Sequence, residues 1–232
     1  MRLFLAFYLF ATALHAEGFN RADLQKFIDD ATAAGGGQVI LPPGTHTLDA
    51  PLVIRNTAKL RVAGLDAEDT FLQPVADSAK GFPLIRIEGP AEDLSIDKIT
   101  LTTAGAAFAQ APLIEVKGST EKDKPTSLSI DRCLFQNHSG PAIVLADAKD
   151  SRVTACTFMD LGGAAIQATG KTTALLLQHN HVTRTATPAI HLGPDTLNAQ
   201  ILANELQNGI LKIEGQGHHL QANLQSEESS KK

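Results

Sequence analysis

The sequence predicts an all-β solenoid, in which short strands stack copy upon copy into parallel sheets around one core. Three observations carry this. The first is a repeat: Leu128–Phe135, Arg152–Phe158, Leu177–Val182 and Ile201–Leu206 share one pattern, and Leu220–Leu224 is a shortened copy. Phe135, Phe158, Val182 and Leu206 are spaced by 23, 24 and 24 residues. The second is another apolar column of nearly the same period, Ile143, Ile166, Ile190 and, after a shorter step, Ile210. A fixed period of about 20–50 residues marks an array whose units bury their apolar faces only on one another. The third is the shape of the apolar runs. Ile143–Leu145 and Ile190–Leu192 are too short for helices and are bounded by Gly, Asn, Pro and Ser, which is the pattern of strands and turns.

Copies that follow one another in the same sense place strand on strand about 4.8 Å apart. Cys133, Cys156, Asn180, Asn204 and Asn223 then form a column. Stacked Asn side chains can donate an amide N–H to the oxygen of the next rung, and Asn tolerates a left-handed turn. The two cysteines meet on adjacent rungs. Their expected spacing falls within the Cα range of a disulfide, about 4.4–6.8 Å, but in-register side chains point the same way and strain such a bridge. A disulfide and two buried thiols both remain open.

This pattern resembles the right-handed parallel β-helix of the pectate-lyase-like superfamily, whose rungs carry such an Asn ladder. Residues 20–34 add to the likeness. Asn20 can cap a helix, Asp23 favours its positive end, and Leu24, Phe27, Ile28 and Ala31 share one face. Gly35–Gly37 ends it, and Val39-Ile-Leu-Pro-Pro-Gly-Thr45 follows as strand and turn. In that superfamily such a helix closes the open end of the solenoid, where sheet edges and core would otherwise meet water. The expected fold is therefore a right-handed parallel β-helix with an N-terminal capping α-helix.

In chain order, residues 1–16 read as a secretory signal: Arg2, an apolar run from Leu3 to Phe10, then small residues. Residues 17–225 form the single β-helix domain, and 226–232 a polar, disordered tail. Leu52–Ile54, Leu60–Val62 and Leu84–Ile87 are early strands. Leu94–Leu101 matches Leu128–Phe135 at an offset of 34 residues, so the extra length at 104–112 and 117–127 forms loops. Without its leader the chain carries 19 basic and 25 acidic side chains, a net −6, and neither Tyr nor Trp. Mild acidity without a basic cluster argues against nucleic acid. Lack of Tyr and Trp argues against a simple ring-stacking carbohydrate module. No segment besides the leader could span a membrane. The protein is expected to be secreted or periplasmic, and self-association is expected at the C-terminal end, where no cap helix is visible.

Candidate site residues come from the alternation of side chains along strands. If Ile85, Ile114, Ile143, Ile166, Ile190 and Ile210 point inward, then Arg86, Glu115, Val144, Gln167, His191 and Leu211 point outward. The preceding turn contributes His138, Asp160 and Arg184. In enzymes that resemble this architecture, substrate lies along this sheet beside that turn. Cleaving a uronic-acid chain by elimination needs a cation at the sugar carboxylate and a base for the adjacent proton. Arg184, His191 and Asp160 are the candidate catalytic set: cation, base and orienter of the imidazole. Glu115, Gln167 and His138 are the candidate substrate contacts.

No metal or cofactor is expected. Asp147 and Asp150 share a turn but are too few for calcium, which takes about 6–8 oxygens, and no Cys-x-x-Cys is present. No carboxylate pair on neighbouring rungs suits a glycoside hydrolase, and the Asp-Pro-His-Glu signature of alginate epimerases is absent. The expected function is binding or processing of an extracellular polysaccharide, with lyase-type elimination of a uronic-acid polymer as the enzymatic form. The alternative is a non-catalytic structural or adhesive module of the cell envelope.

Overall fold

A computed structural model describes residues 18–75, 81–103, 111–118, 124–186 and 188–226. The leader at 1–16 and most of the polar tail lie outside these residues. The chain forms three parallel sheets of eight, eight and seven strands, wound as a right-handed parallel β-helix. Among the described residues, each rung but the last gives one strand to each sheet. One complete rung runs Ser129–Asp131 in the first sheet, Leu134–His138 in the second and Ile143–Ala146 in the third. Pairing is in register at the predicted positions: Ile130 with Val153, Phe135 with Phe158, Ile143 with Ile166. The 34-residue offset also holds, with Ser95, Ile96 and Asp97 beside Ser129, Ile130 and Asp131. The strand Thr70–Pro74, in the second sheet, had no expectation attached to it.

Alternation explains the core. Ile96, Ile130, Leu177 and Ile201 from the first sheet, Phe135, Phe158, Val182 and Leu206 from the second, and Ile114, Ile143, Ile166 and Ile190 from the third are fully buried. Phe135 and Phe158 stack with centroids 4.8 Å apart and planes within 6°. From the third rung on, the chain turns between the first and second sheets through one left-handed residue: Lys98, Arg132, Ala155, His179, Ala203 and Ala222 all have φ near 50°. The ladder residue follows. Asn180 Nδ2 donates to Asn204 Oδ1 at 2.9 Å, and Asn204 Nδ2 to Asn223 Oδ1 at 2.9 Å. Cys133 and Cys156, at the same position, are buried free thiols. Burial pushes the Cys156 thiol well above its usual range.

The helix Arg21–Ala33 sits over the first rung with Leu24 and Ile28 buried, and Asn20 caps it by accepting from the N–H groups of Ala22 and Asp23. It also covers a strand edge. The Gln25 amide donates to Val53 O and accepts from Val53 N–H, both at 2.8 Å, so the outermost strand of the third sheet has partners for both groups. No helix among the described residues is long and apolar enough to cross a membrane.

The last rung with a strand in all three sheets departs from expectation. From the second-sheet to the third-sheet column the step is eight residues at Val182–Ile190 but only five at Leu206–Leu211. Leu211, not Ile210, therefore pairs with Ile190, and Lys212, not Leu211, takes the outward position beside His191. Ile210 is 56% exposed.

Candidate functional site

The outward column of the third sheet reads Arg86, Glu115, Val144, Gln167, His191 and Lys212, each the register partner of the next. Its early rungs are internally paired. Arg86 Nε donates to Glu115 at 2.8 Å, and Lys117 reaches the other Glu115 oxygen at 3.2 Å. Glu115 thus enters the site as a neutralised acceptor. Val144 interrupts the polar column. Gln167 and His191 follow, both half-buried, on adjacent strands.

The bend before this sheet is built by residues with left-handed backbone: Asn137, Asp160, Arg184 and Asn208, with φ between 49° and 58°. Gly162 and Gly163 then let one bend lie directly on the one before. A Cβ on Gly162 would lie 2.3 Å from Ser139 O, and one on Gly163 2.5 Å from Pro141 N. On the other side, the in-register pairing of Thr157–Leu161 with His181–Thr185 sets Asp160 beside Arg184. Arg184 Nε and Nη2 donate to the two Asp160 oxygens at 2.6 and 2.9 Å, a bidentate fork on an exposed surface. The guanidinium holds the Asp160 carboxyl below its ordinary range.

The structure therefore brings two of the three candidate catalytic residues into contact. Asp160 directs its carboxylate at Arg184, with both oxygens engaged, and this replaces the expected contact with the His191 imidazole. His191 stands on the neighbouring strand, Ile190–Leu192. Its Nε2 is buried and has no hydrogen-bond partner among the described residues.

His138 is a correction. It pairs in register with Leu161, points inward and is buried, and its Nε2 lies 2.8 Å from Ala111 O. Burial lowers its pKa. The residue that shares the bend position with Asp160 and Arg184 is Asn137. Counting two residues on from Phe135, Phe158 and Val182 gives Asn137, Asp160 and Arg184, so the repeat itself held the signal.

The hollows lie on a different sheet, the first. On the outer face of the first sheet, Arg61, Ser95, Ser129 and Arg152 form one column and Asp97, Asp131 and Thr154 the next. Side chains here line two adjoining hollows of about 460 and 330 Å³. Nothing periodic in residue type announces them. Among the described residues no group of three or more His, Cys, Asp or Glu stands together as a metal site would.

No family model and no curated protein matches the chain. Solved structures do. The A-module of mannuronan C-5 epimerase AlgE4 from Azotobacter vinelandii superposes with a TM-score of 0.62 at 16% identity, covering 93% of this chain and 71% of that one. The A-module of AlgE6 from the same organism gives 0.57 at 16% identity, over 92% and 74%. The catalytic domain of Agl-KA gives 0.53 at 14% identity, over 92% and 47%. The shared property is the fold, a right-handed parallel β-helix.

Proposed function

We propose that this protein is an exported β-helix that binds and processes an acidic polysaccharide along the outer face of its third sheet. The observation that carries the reading is His191. An imidazole nitrogen buried without a partner is costly, since few buried side-chain polar atoms among the described residues lack one, and the half-buried ring lies on the outer face of the third sheet, where a turn of the ring would bring that nitrogen to a ligand group. Arg184, exposed at the adjoining bend, presents a cation to the sugar carboxylate, and Asp160 holds the guanidinium in place. Gln167 and the paired Glu115 offer further hydrogen bonds along the column. In an elimination, Arg184 neutralises the carboxylate and His191 removes the neighbouring proton; the electrons of that C–H bond form the C=C bond, and the glycosidic oxygen departs with the C–O electron pair and takes up a proton from the imidazolium or from water, leaving an unsaturated sugar. Two structural neighbours are named as epimerases of mannuronan, which is consistent with an acidic sugar chain. Incubation with a panel of uronic-acid and neutral polysaccharides, read as unsaturated products and new reducing ends, tests the reading. Turnover confined to uronic-acid polymers is expected, and inertness toward all of them would refute it.

One observation favours the structural alternative. Among the described residues, Leu220 and Leu224 on the last rung and Ile210 on the one before are 46%, 67% and 56% exposed, whereas the helix covers the first. Contact between copies at the uncovered end would be end to end and would close at two. Sedimentation of the mature protein distinguishes the cases: a dimer lost in Leu220→Glu supports such assembly, and a monomer at all concentrations excludes it.

A further inference from the structure

The outer face of the first sheet has a notch whose shape follows from residue size. In one outward column Arg61 and Arg152 stand three strands apart, roughly 14 Å at the spacing of stacked strands. The two positions between them are Ser95 and Ser129. Small residues make the floor and long guanidinium side chains make the ends.

Most charges around the notch are paired. Arg61 forks onto Asp97 at 2.7 and 3.0 Å, and the Asp97 side chain is only 5% exposed. Asp131 accepts from Arg132 Nε at 2.6 Å and from Thr154 Oγ1 at 2.7 Å. Lys149 lies 3.7 Å from Asp150. Two charged groups on the rim carry no ion pair among the described residues. Arg152 gives only its Nε, to Ser129 Oγ at 2.9 Å. Asp93, at a left-handed bend position with φ 50°, lines the same hollow as Arg152. The notch thus balances positive against negative groups and leaves one strong donor and one strong acceptor open to a ligand.

We propose that this notch is a second saccharide site, separate from the third-sheet face, which takes a neutral, hydroxyl-rich oligosaccharide. Charge balance disfavours an anionic chain, since an entering carboxylate would meet Asp93 as well as Arg152. A sugar hydroxyl both donates and accepts, so the Asp93 carboxylate accepts from one hydroxyl and the Arg152 guanidinium donates to another. Ser95 and Gln178 add contacts of the same kind from the floor and far wall. The absence of an aromatic platform makes recognition here one of hydrogen bonds, with modest affinity and weak dependence on salt.

The test is a titration of the full mature chain with neutral hexasaccharides (cello-, malto- and laminarihexaose) and with a hexauronate, followed by amide shifts and calorimetry. The expected result is that one neutral hexasaccharide shifts the amides of Ser95 and Ser129. Its affinity should fall tenfold or more in Arg152→Gln and in Asp93→Asn, and change little between about 0.1 and about 1 M salt. Arg184→Ala should leave this binding intact, so failure of the third-sheet reading would not remove it. Ser95→Leu, which fills the floor, should also abolish it and guards against a rim variant acting through fold loss. Shifts confined to the hexauronate, or no shift at Ser95 and Ser129 with any probe, would overturn the proposal.

Discussion

His46 shows how one inward residue ties the N-terminal segment to the solenoid. It is fully buried in the strand Gly44–Leu48. Its Nδ1 accepts from Phe19 N–H at 2.9 Å, and its Nε2 lies 2.9 Å from Pro42 O. A carbonyl can only accept, so the proton sits on Nε2 and the ring is neutral. Burial lowers its pKa, as it does that of His138. Between the ordinary value of 6.5 and the depressed folded value, the unfolded chain takes up protons that the folded chain refuses. The stabilisation is complete above about pH 6.5 and is lost as the pH falls through that window. Thermal melts should therefore drop between about pH 7 and about pH 5, and His46→Gln combined with His138→Gln should flatten the profile. A wild-type melting temperature that does not move over this range would show that neither ring is held neutral. At the same scale, Phe158→Ala removes a fully buried ring stacked on Phe135 and should cost about 3–5 kcal/mol in denaturant unfolding.

The Asn ladder is the element that fixes rung to rung. Asn180 and Asn204 each do the same three things. Asn204 donates Nδ2 to Leu177 O and to Asn223 Oδ1, and its Oδ1 accepts the Asn180 backbone N–H. Asn204→Leu would strand the Asn180 amide and its N–H in a buried turn and should cost about 1–3 kcal/mol; unchanged stability would remove the ladder from the account. The ladder stops at Cys156, whose N–H is already accepted by Asn180 Oδ1 at 3.0 Å. Cys156→Asn should extend it by one rung, with stability held or raised, because Asn204 already shows that one Oδ1 can take both donors from the rung before. A substantial loss of stability in C156N would mean that the column narrows at the cysteines. The sequence held this element almost complete, since an Asn repeated every rung has little other physical reason to be buried. It left the cysteines undecided because strand spacing allows a bridge that side-chain direction opposes.

Over the whole molecule, legibility followed periodicity. The inward columns repeat in kind and could be counted, so the rungs from Leu94 to Leu206 were readable. Counting failed where a bend changed length, as before Leu211, and where a turn residue was chosen by chemistry instead of register, as with His138. The outward surface repeats in position but not in residue type. The serine floor of the first sheet was therefore invisible, and so was the choice of Asp160 to fork onto Arg184, which depends on side-chain conformation. The proposed function of the third-sheet face rests on Arg184 and His191, two residues of one rung. The direct measurement is binding and turnover of a polyuronate by the wild type, Arg184→Ala and His191→Ala, with a melting curve for each. The account predicts that Arg184→Ala loses binding and turnover together, that His191→Ala still binds but releases no unsaturated product, and that all three melt alike. Variants that stay folded and bind and turn over polyuronate as the wild type does would contradict it.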